Sequence, residues 1–203
     1  MKIAILGLGA YGIALAKNLC KSSKVVMWSA FTEEVDRVAS ERENTAVLPE
    51  IKIDESIDIT SNLKEAVKSA RIIIIAVPMF AVRSVCKELK GIITKTQILC
   101  MVSKGVEKET YLFPSQVVGE ELPNAEVAMI SGPSFARELA CNAETGLTIA
   151  SENEKNIEVL KKAFKCENLD FDTTLDLIGV QICRNGKKHL CYSFWNVGRK
   201  RQK

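Results

Sequence analysis

Lys2-Ile3-Ala4-Ile5-Leu6-Gly7-Leu8-Gly9-Ala10-Tyr11-Gly12-Ile13-Ala14-Leu15-Ala16 is the stretch whose reading decides the fold. An apolar run cut off by glycine is what a strand buried on both faces presents. The residues after Gly12 then carry helix-forming apolar spacing. Between strand and helix, each of the three glycines has separate work. Gly7 makes a tight turn, Gly9 lets the backbone approach a pyrophosphate, and Gly12 lets the helix pack on the strand. The helix start adds N–H groups and the positive end of its dipole, both suited to phosphate. Two other readings compete. The apolar run ending Ala14-Leu15-Ala16 looks like a secretory signal with its cleavage site, but three spaced glycines break an apolar helix. A glycine turn that binds nothing is the second, and the placement between strand and helix argues against it.

The chain continues the alternation outward from that stretch. Residues 24–29 read as the second strand. An acid that bonds the adenosine ribose belongs about 20 residues past the glycines, or an arginine where a 2′-phosphate is accepted. Here the strand ends Ser29-Ala30-Phe31, so the sequence does not choose between NAD and NADP. Thr32-Glu33-Glu34 opens a helix running to about Ser40, and residues 41–49 form a connection stopped by Pro49. Residues 58–61 predict a short strand and residues 62–69 a capped helix. Ile72-Ile73-Ile74-Ile75 predicts a central parallel strand, and Phe80, Ala81, Val85 and Leu89 the inner face of the next helix. Residues 97–105 are a further strand, ending in Lys104 at the carboxyl edge where open α/β sheets bind ligands.

A strand over 125–130 leads into Ser131-Gly132-Pro133-Ser134-Phe135-Ala136-Arg137-Glu138. Glycine for the turn and proline near the first helical position predict a helix entry, a second anion-accepting N-terminus with the Ser134 hydroxyl beside it. Residues 145–150 are a strand, 154–164 an amphipathic helix and 169–171 a last strand. The βαβα order makes this an α/β chain with a Rossmann-type doubly wound, mostly parallel sheet.

Composition narrows the function classes. The chain has 203 residues, which suits one α/β domain better than two. Its apolar runs are too short and too broken by glycine to predict a membrane span. The seven cysteines include no C-x-x-C pair, so reduced thiols in a cytoplasmic setting are expected rather than a disulfide framework or a zinc site. The net charge of +3 is unevenly held. Residues 184–203 contain seven cations and no acid, leaving residues 1–183 with 21 cations against 25 acids. Arg199-Lys200-Arg201 therefore reads as a solvated terminal charge run, and nucleic acid is not an expected partner.

Five motifs in order give a resemblance: Gly7-Leu8-Gly9-Ala10-Tyr11-Gly12, Arg42-Glu43-Asn44-Thr45, Ala76-Val77-Pro78, Ser103-Lys104-Gly105, and the segment from Ser131 to Glu138. Together they resemble the bacterial-type NAD(P)-dependent glycerol-3-phosphate dehydrogenases over roughly residues 1–183. The resemblance implies a Rossmann domain, followed in that family by an all-helical domain that is not expected here. It also implies interconversion of dihydroxyacetone phosphate and sn-glycerol 3-phosphate for phospholipid synthesis, and a homodimer in the intact family. By it, Ala10, Tyr11 and Ala136 lie along NAD or NADP beside the three glycines. Lys104 reaches cofactor and substrate, and Gly132 and Ser134 line the side of the small phosphate substrate. The arginine often found after the family's second strand is replaced by Ala30.

The family's proton-transferring lysine lies in a helix of G-x-L-K-N type, and a lysine's pKa falls readily on burial. Ile178-Gly179-Val180-Gln181-Ile182-Cys183 leads towards that helix, and Lys187 falls in the lysine's place, with the lone His189 beyond it. Residues 184–203 otherwise lose the family pattern. Synonymous AT-rich codons for this tail, read one base later, give a K-N-x-x-A-I-A helix, so a frameshift product is expected. The enzyme reading accordingly stands beside a non-catalytic NAD(P)-binding remnant and, more remotely, a basic-tailed nucleic-acid-binding module.

Overall fold

The computed structural model describes residues 1–185, with side chains through Cys183. Its strands are β1 (Lys2–Leu6), β2 (Lys24–Trp28), β3 (Asp58–Thr60), β4 (Ile72–Ile75), β5 (Ile98–Met101), β6 (Glu126–Ser131), β7 (Thr145–Ala150) and β8 (Leu169–Thr174). Helices α1 (Ala10–Leu19), α2 (Thr32–Glu41), α3 (Leu63–Val67) and α4 (Met79–Leu89) fall among the first strands. They are followed by α5 (Pro114–Glu121), α6 (Ala136–Ala140), α7 (Glu154–Ala163) and α8 (Leu177–Asn185). One sheet holds all eight strands in the order β3-β2-β1-β4-β5-β6-β7-β8. β1 pairs in parallel with β2 on one side and β4 on the other, so the strand order reverses there. That reversal opens a crevice at the carboxyl ends of β1 and β4, the place where doubly wound sheets take ligands.

Burial follows the residue pattern closely. All four isoleucines of β4 are inaccessible to solvent. Ile72 and Ile74 enter the core under α1, α2, α6 and α7, while Ile73 and Ile75 enter the core under α3, α4 and α5. Each such burial is worth roughly 2 kcal/mol, which makes β4 the spine of both layers. α3 is capped as its sequence implies, with the Asn62 side chain accepting from the Glu65 N–H.

Four features differ from the sequence-based expectation. β7 runs antiparallel to β6, because α6 does not run back along the sheet but packs on α1, where Asn18 Nδ2 donates to the Leu139 carbonyl at 2.9 Å. The chain thus re-enters the sheet from its carboxyl edge, and β8 then pairs in parallel with β7. Helix α5 went unread, although Pro114 opens it and Gln116 accepts from the Phe113 N–H at 2.9 Å. Phe80, placed on the inner face of α4, is 86% exposed, since Val82, Val85, Cys86 and Leu89 already complete the buried stripe. Helix α6 starts at Ala136, three residues after Pro133, so the proline precedes the helix instead of opening it. Among the described residues no helix is long and apolar enough to cross a membrane.

Candidate functional site

The glycine turn lies where β1 hands the chain to α1. Gly7 donates its N–H to the Trp28 carbonyl at 2.7 Å and adopts φ +128°, and a Cβ there would sit 2.7 Å from the Ala76 carbonyl oxygen. Gly12 is equally constrained, since its Cβ would meet the Gly7 carbonyl oxygen at 2.6 Å. Gly9 differs. Its backbone is ordinary extended chain, and beyond Gly9 itself and its chain neighbours no protein atom lies within 4 Å of where a Cβ would stand. Two glycines therefore close the turn, and the middle one keeps open a space beside the positive end of a ten-residue helix.

The first and last motifs also meet. Tyr11 Oη and Ser134 Oγ are 3.0 Å apart, joined over 123 positions of sequence. Ala10, Tyr11 and Ala136 are partly buried, and each packs against the core that α1 covers. Gly132 is needed for close approach, because a Cβ would lie 2.7 Å from the Gly146 carbonyl oxygen of β7. The expected second anion-accepting helix end is corrected: α6 has five residues and starts beyond Ser134, and the Ser134 N–H donates to the Gly132 carbonyl at 3.0 Å. A single helical turn carries too little aligned dipole to hold an anion.

Lys104 stands exposed at the carboxyl end of β5. Ser103 fixes the approach to it, donating to the Val77 carbonyl at 2.6 Å, and Gly105 turns the chain at φ +101°. The Ala76-Val77-Pro78 and Ser103-Lys104-Gly105 motifs are thus two adjoining loops on one edge of the sheet. Arg137 forms an ion pair with Glu50 and also reaches the Pro49 carbonyl, tying the last motif to the long loop after α2. Glu50 in turn holds the guanidinium's pKa above its ordinary value. Lys187, His189 and Arg199-Lys200-Arg201 lie outside the described residues.

Two residues of this site carry no role in the sequence reading. Asn44 is buried, and its Nδ2 donates to the Leu8 carbonyl in the glycine turn at 3.0 Å and to Glu34 Oε1 at 3.1 Å. Glu34 Oε2 accepts from the Ser29 hydroxyl at 2.6 Å. The end of β2 was read as lacking an acid, yet α2 returns one to it from five residues downstream. A carboxylate in the first turn of the following helix is the signal that could have found it.

The chain as a whole is similar to known proteins. Residues 2–157 match the model of the NAD-dependent glycerol-3-phosphate dehydrogenase N-terminus. The chain belongs to this family. It is 38% identical over 185 residues to the glycerol-3-phosphate dehydrogenase [NAD(P)+] of Fusobacterium nucleatum, covering 90% of this chain and 55% of that protein. The corresponding enzyme of Thermoanaerobacter is 36% identical over 183 residues, with the same coverage. The crystal structure of glycerol-3-phosphate dehydrogenase from Coxiella burnetii superposes with a TM-score of 0.85 at 34% identity, over 90% of this chain and 56% of that one. The chain spans about half the length of the curated relatives it matches.

Proposed function

We propose that residues 1–183 form the NAD(P)-binding half of a glycerol-3-phosphate dehydrogenase, with residues 184–203 a basic tail outside the family pattern. The observation that carries this reading is the open space at Gly9 beside the start of α1, in a member of that family. The cradle fits a dinucleotide: Gly7, Gly9 and Gly12 admit a pyrophosphate at the start of α1, and Ala10, Tyr11 and Ala136 form its wall. When bound, NADH or NADPH supplies the hydride that reduces a ketone such as dihydroxyacetone phosphate. The Lys104 ammonium stands at the carboxyl edge where it can meet an anionic group of cofactor or substrate. Tyr11 fixes the rotamer of Ser134, so a substrate oxygen beside it meets an oriented hydroxyl. Gly132 leaves that loop flat against β7.

Reduction also needs a proton donor within hydrogen-bond reach of the carbonyl oxygen. Lys187 is assigned that place in this reading, in a cytoplasmic protein with reduced cysteines. Calorimetry of the full chain with NADH and with NADPH tests the binding half: saturable heat with either supports it, and no heat at millimolar cofactor overturns it. Oxidation of NAD(P)H with dihydroxyacetone phosphate tests the chemistry. Cofactor binding without turnover supports the non-catalytic reading, and turnover abolished by Lys187→Met with binding retained supports the enzyme.

A further inference from the structure

We infer that Glu34 sets the cofactor choice of this chain, favouring NAD over NADP by receiving the adenosine ribose hydroxyls and repelling a 2′-phosphate. The inference rests on the dinucleotide reading of the glycine turn. In that geometry the adenosine ribose lies between the turn and the end of the second strand. The Glu34 carboxylate is bound into that interval from both sides. Ser29, the first residue after β2, donates its hydroxyl to Oε2 at 2.6 Å. Asn44 bridges Oε1 to the Leu8 carbonyl between Gly7 and Gly9, with arms of 3.1 and 3.0 Å. One side-chain amide therefore separates the carboxylate from the turn itself.

A carboxylate has about four acceptor sites, and Ser29 and Asn44 use two of them. The two that remain suit the vicinal 2′- and 3′-hydroxyls of an unphosphorylated ribose. A 2′-phosphate in the same place is acceptor-only and brings like charge against Glu34. The cation that borders this network already has partners. Arg37, one turn along α2, donates to Asn44 Oδ1 at 3.3 Å and pairs with Glu41 at 3.7 Å. The two residues after Ser29 are Ala30 and the 72% exposed Phe31, neither of which can pair with a phosphate.

The test is titration of the full chain with NADH and NADPH, before and after Glu34→Gln and Glu34→Arg. The unaltered chain is expected to bind NADH at least about tenfold more tightly than NADPH. Glu34→Gln should bring the two dissociation constants to within about threefold, and Glu34→Arg should invert their order. Raising the salt concentration should narrow the discrimination of the unaltered chain and leave that of Glu34→Gln flat. Equal affinity of the unaltered chain for both cofactors overturns the inference and leaves the dinucleotide reading standing. So does a Glu34→Gln variant that keeps the original ratio. Failure to bind either cofactor overturns the dinucleotide reading, and this inference with it.

Discussion

Three glycines that look alike in sequence do different physical work, and single substitutions separate them. At Gly12 an added methyl must push into the Gly7 carbonyl oxygen, which is backbone and cannot yield without moving β1 or α1. Gly12→Ala is expected to cost about 1–3 kcal/mol, read as a lowered denaturant midpoint at unchanged m-value. At Gly9 the same methyl enters open space on an extended backbone at the helix N-cap. Gly9→Ala should leave unliganded stability within about 0.5 kcal/mol while weakening dinucleotide binding at least about tenfold. A Gly9→Ala chain that binds NADH normally would show that the space is not the pyrophosphate's. The hydroxyl pair is a second residue-scale test. On the proposed dehydrogenase reading, Tyr11→Phe leaves the ring packed and Ser134 unanchored, so it should weaken binding of dihydroxyacetone phosphate to the NADH-loaded chain by about fivefold against a near-constant NADH dissociation constant, both read by titration.

Among the elements, α4 and α5 are joined by charge as much as by apolar contact. Arg83 of α4 donates to Glu107 through Nε and Nη2, both at 2.8 Å, and reaches Glu121 of α5 at 2.7 Å and Glu120 at 2.8 Å. The guanidinium beside it pulls the Glu107 carboxyl down to about 2 from an ordinary 4.5. Arg83→Ala leaves three carboxylates facing one another, and should cost about 2 kcal/mol and lower Tm by about 4–8 °C. A carboxyl whose pKa is depressed by folding stabilises fully above its unfolded value and loses that contribution as the pH falls through its folded value. The difference between the two chains should therefore be constant above about pH 5 and shrink towards pH 2. A difference independent of pH across that window would assign the stability to packing.

The same elements show what the sequence could carry. β1, β2, β4 and β5 were legible because burial on both faces leaves an apolar run that polar neighbours cannot mimic. α5 was not, since its buried residues Pro114, Ser115, Val117 and Val118 make too short a stripe, and Gln181 holds its start from 66 residues away. The direction of β7 was hidden for a similar reason: it is decided by where α6 docks, a tertiary event held by Asn18. In the site, the glycines and Lys104 are marked by spacing and strand ends. Glu34 carries only a weak linear signal, an acid in the first turn of α2, and its link through Asn44 to the glycine turn is a side-chain relay formed by the fold.

At the scale of the whole molecule, the two apolar layers are closed among the described residues, and the carboxyl edge of the sheet carries exposed aromatic rings. Phe31, Phe80 and Phe135, in the segments that follow β2, β4 and β6, are 72%, 86% and 61% exposed, while the β4 strand itself is wholly buried. A dinucleotide lying along this edge would contact loops that converge only in the native sheet, so it has nothing equivalent to bind in the unfolded chain. Ligand of that kind stabilises by mass action, by about 2.7 kcal/mol at a free concentration one hundred times its dissociation constant. For a domain of this size that is a rise of about 5–10 °C in Tm, growing with the logarithm of cofactor concentration. Scanning calorimetry over a hundredfold range of NADH measures it directly. Gly9→Ala should start from the same Tm without ligand and lose most of the rise, because its methyl removes the cradle and leaves the sheet intact. An equal rise in both chains would place the dinucleotide elsewhere on the molecule.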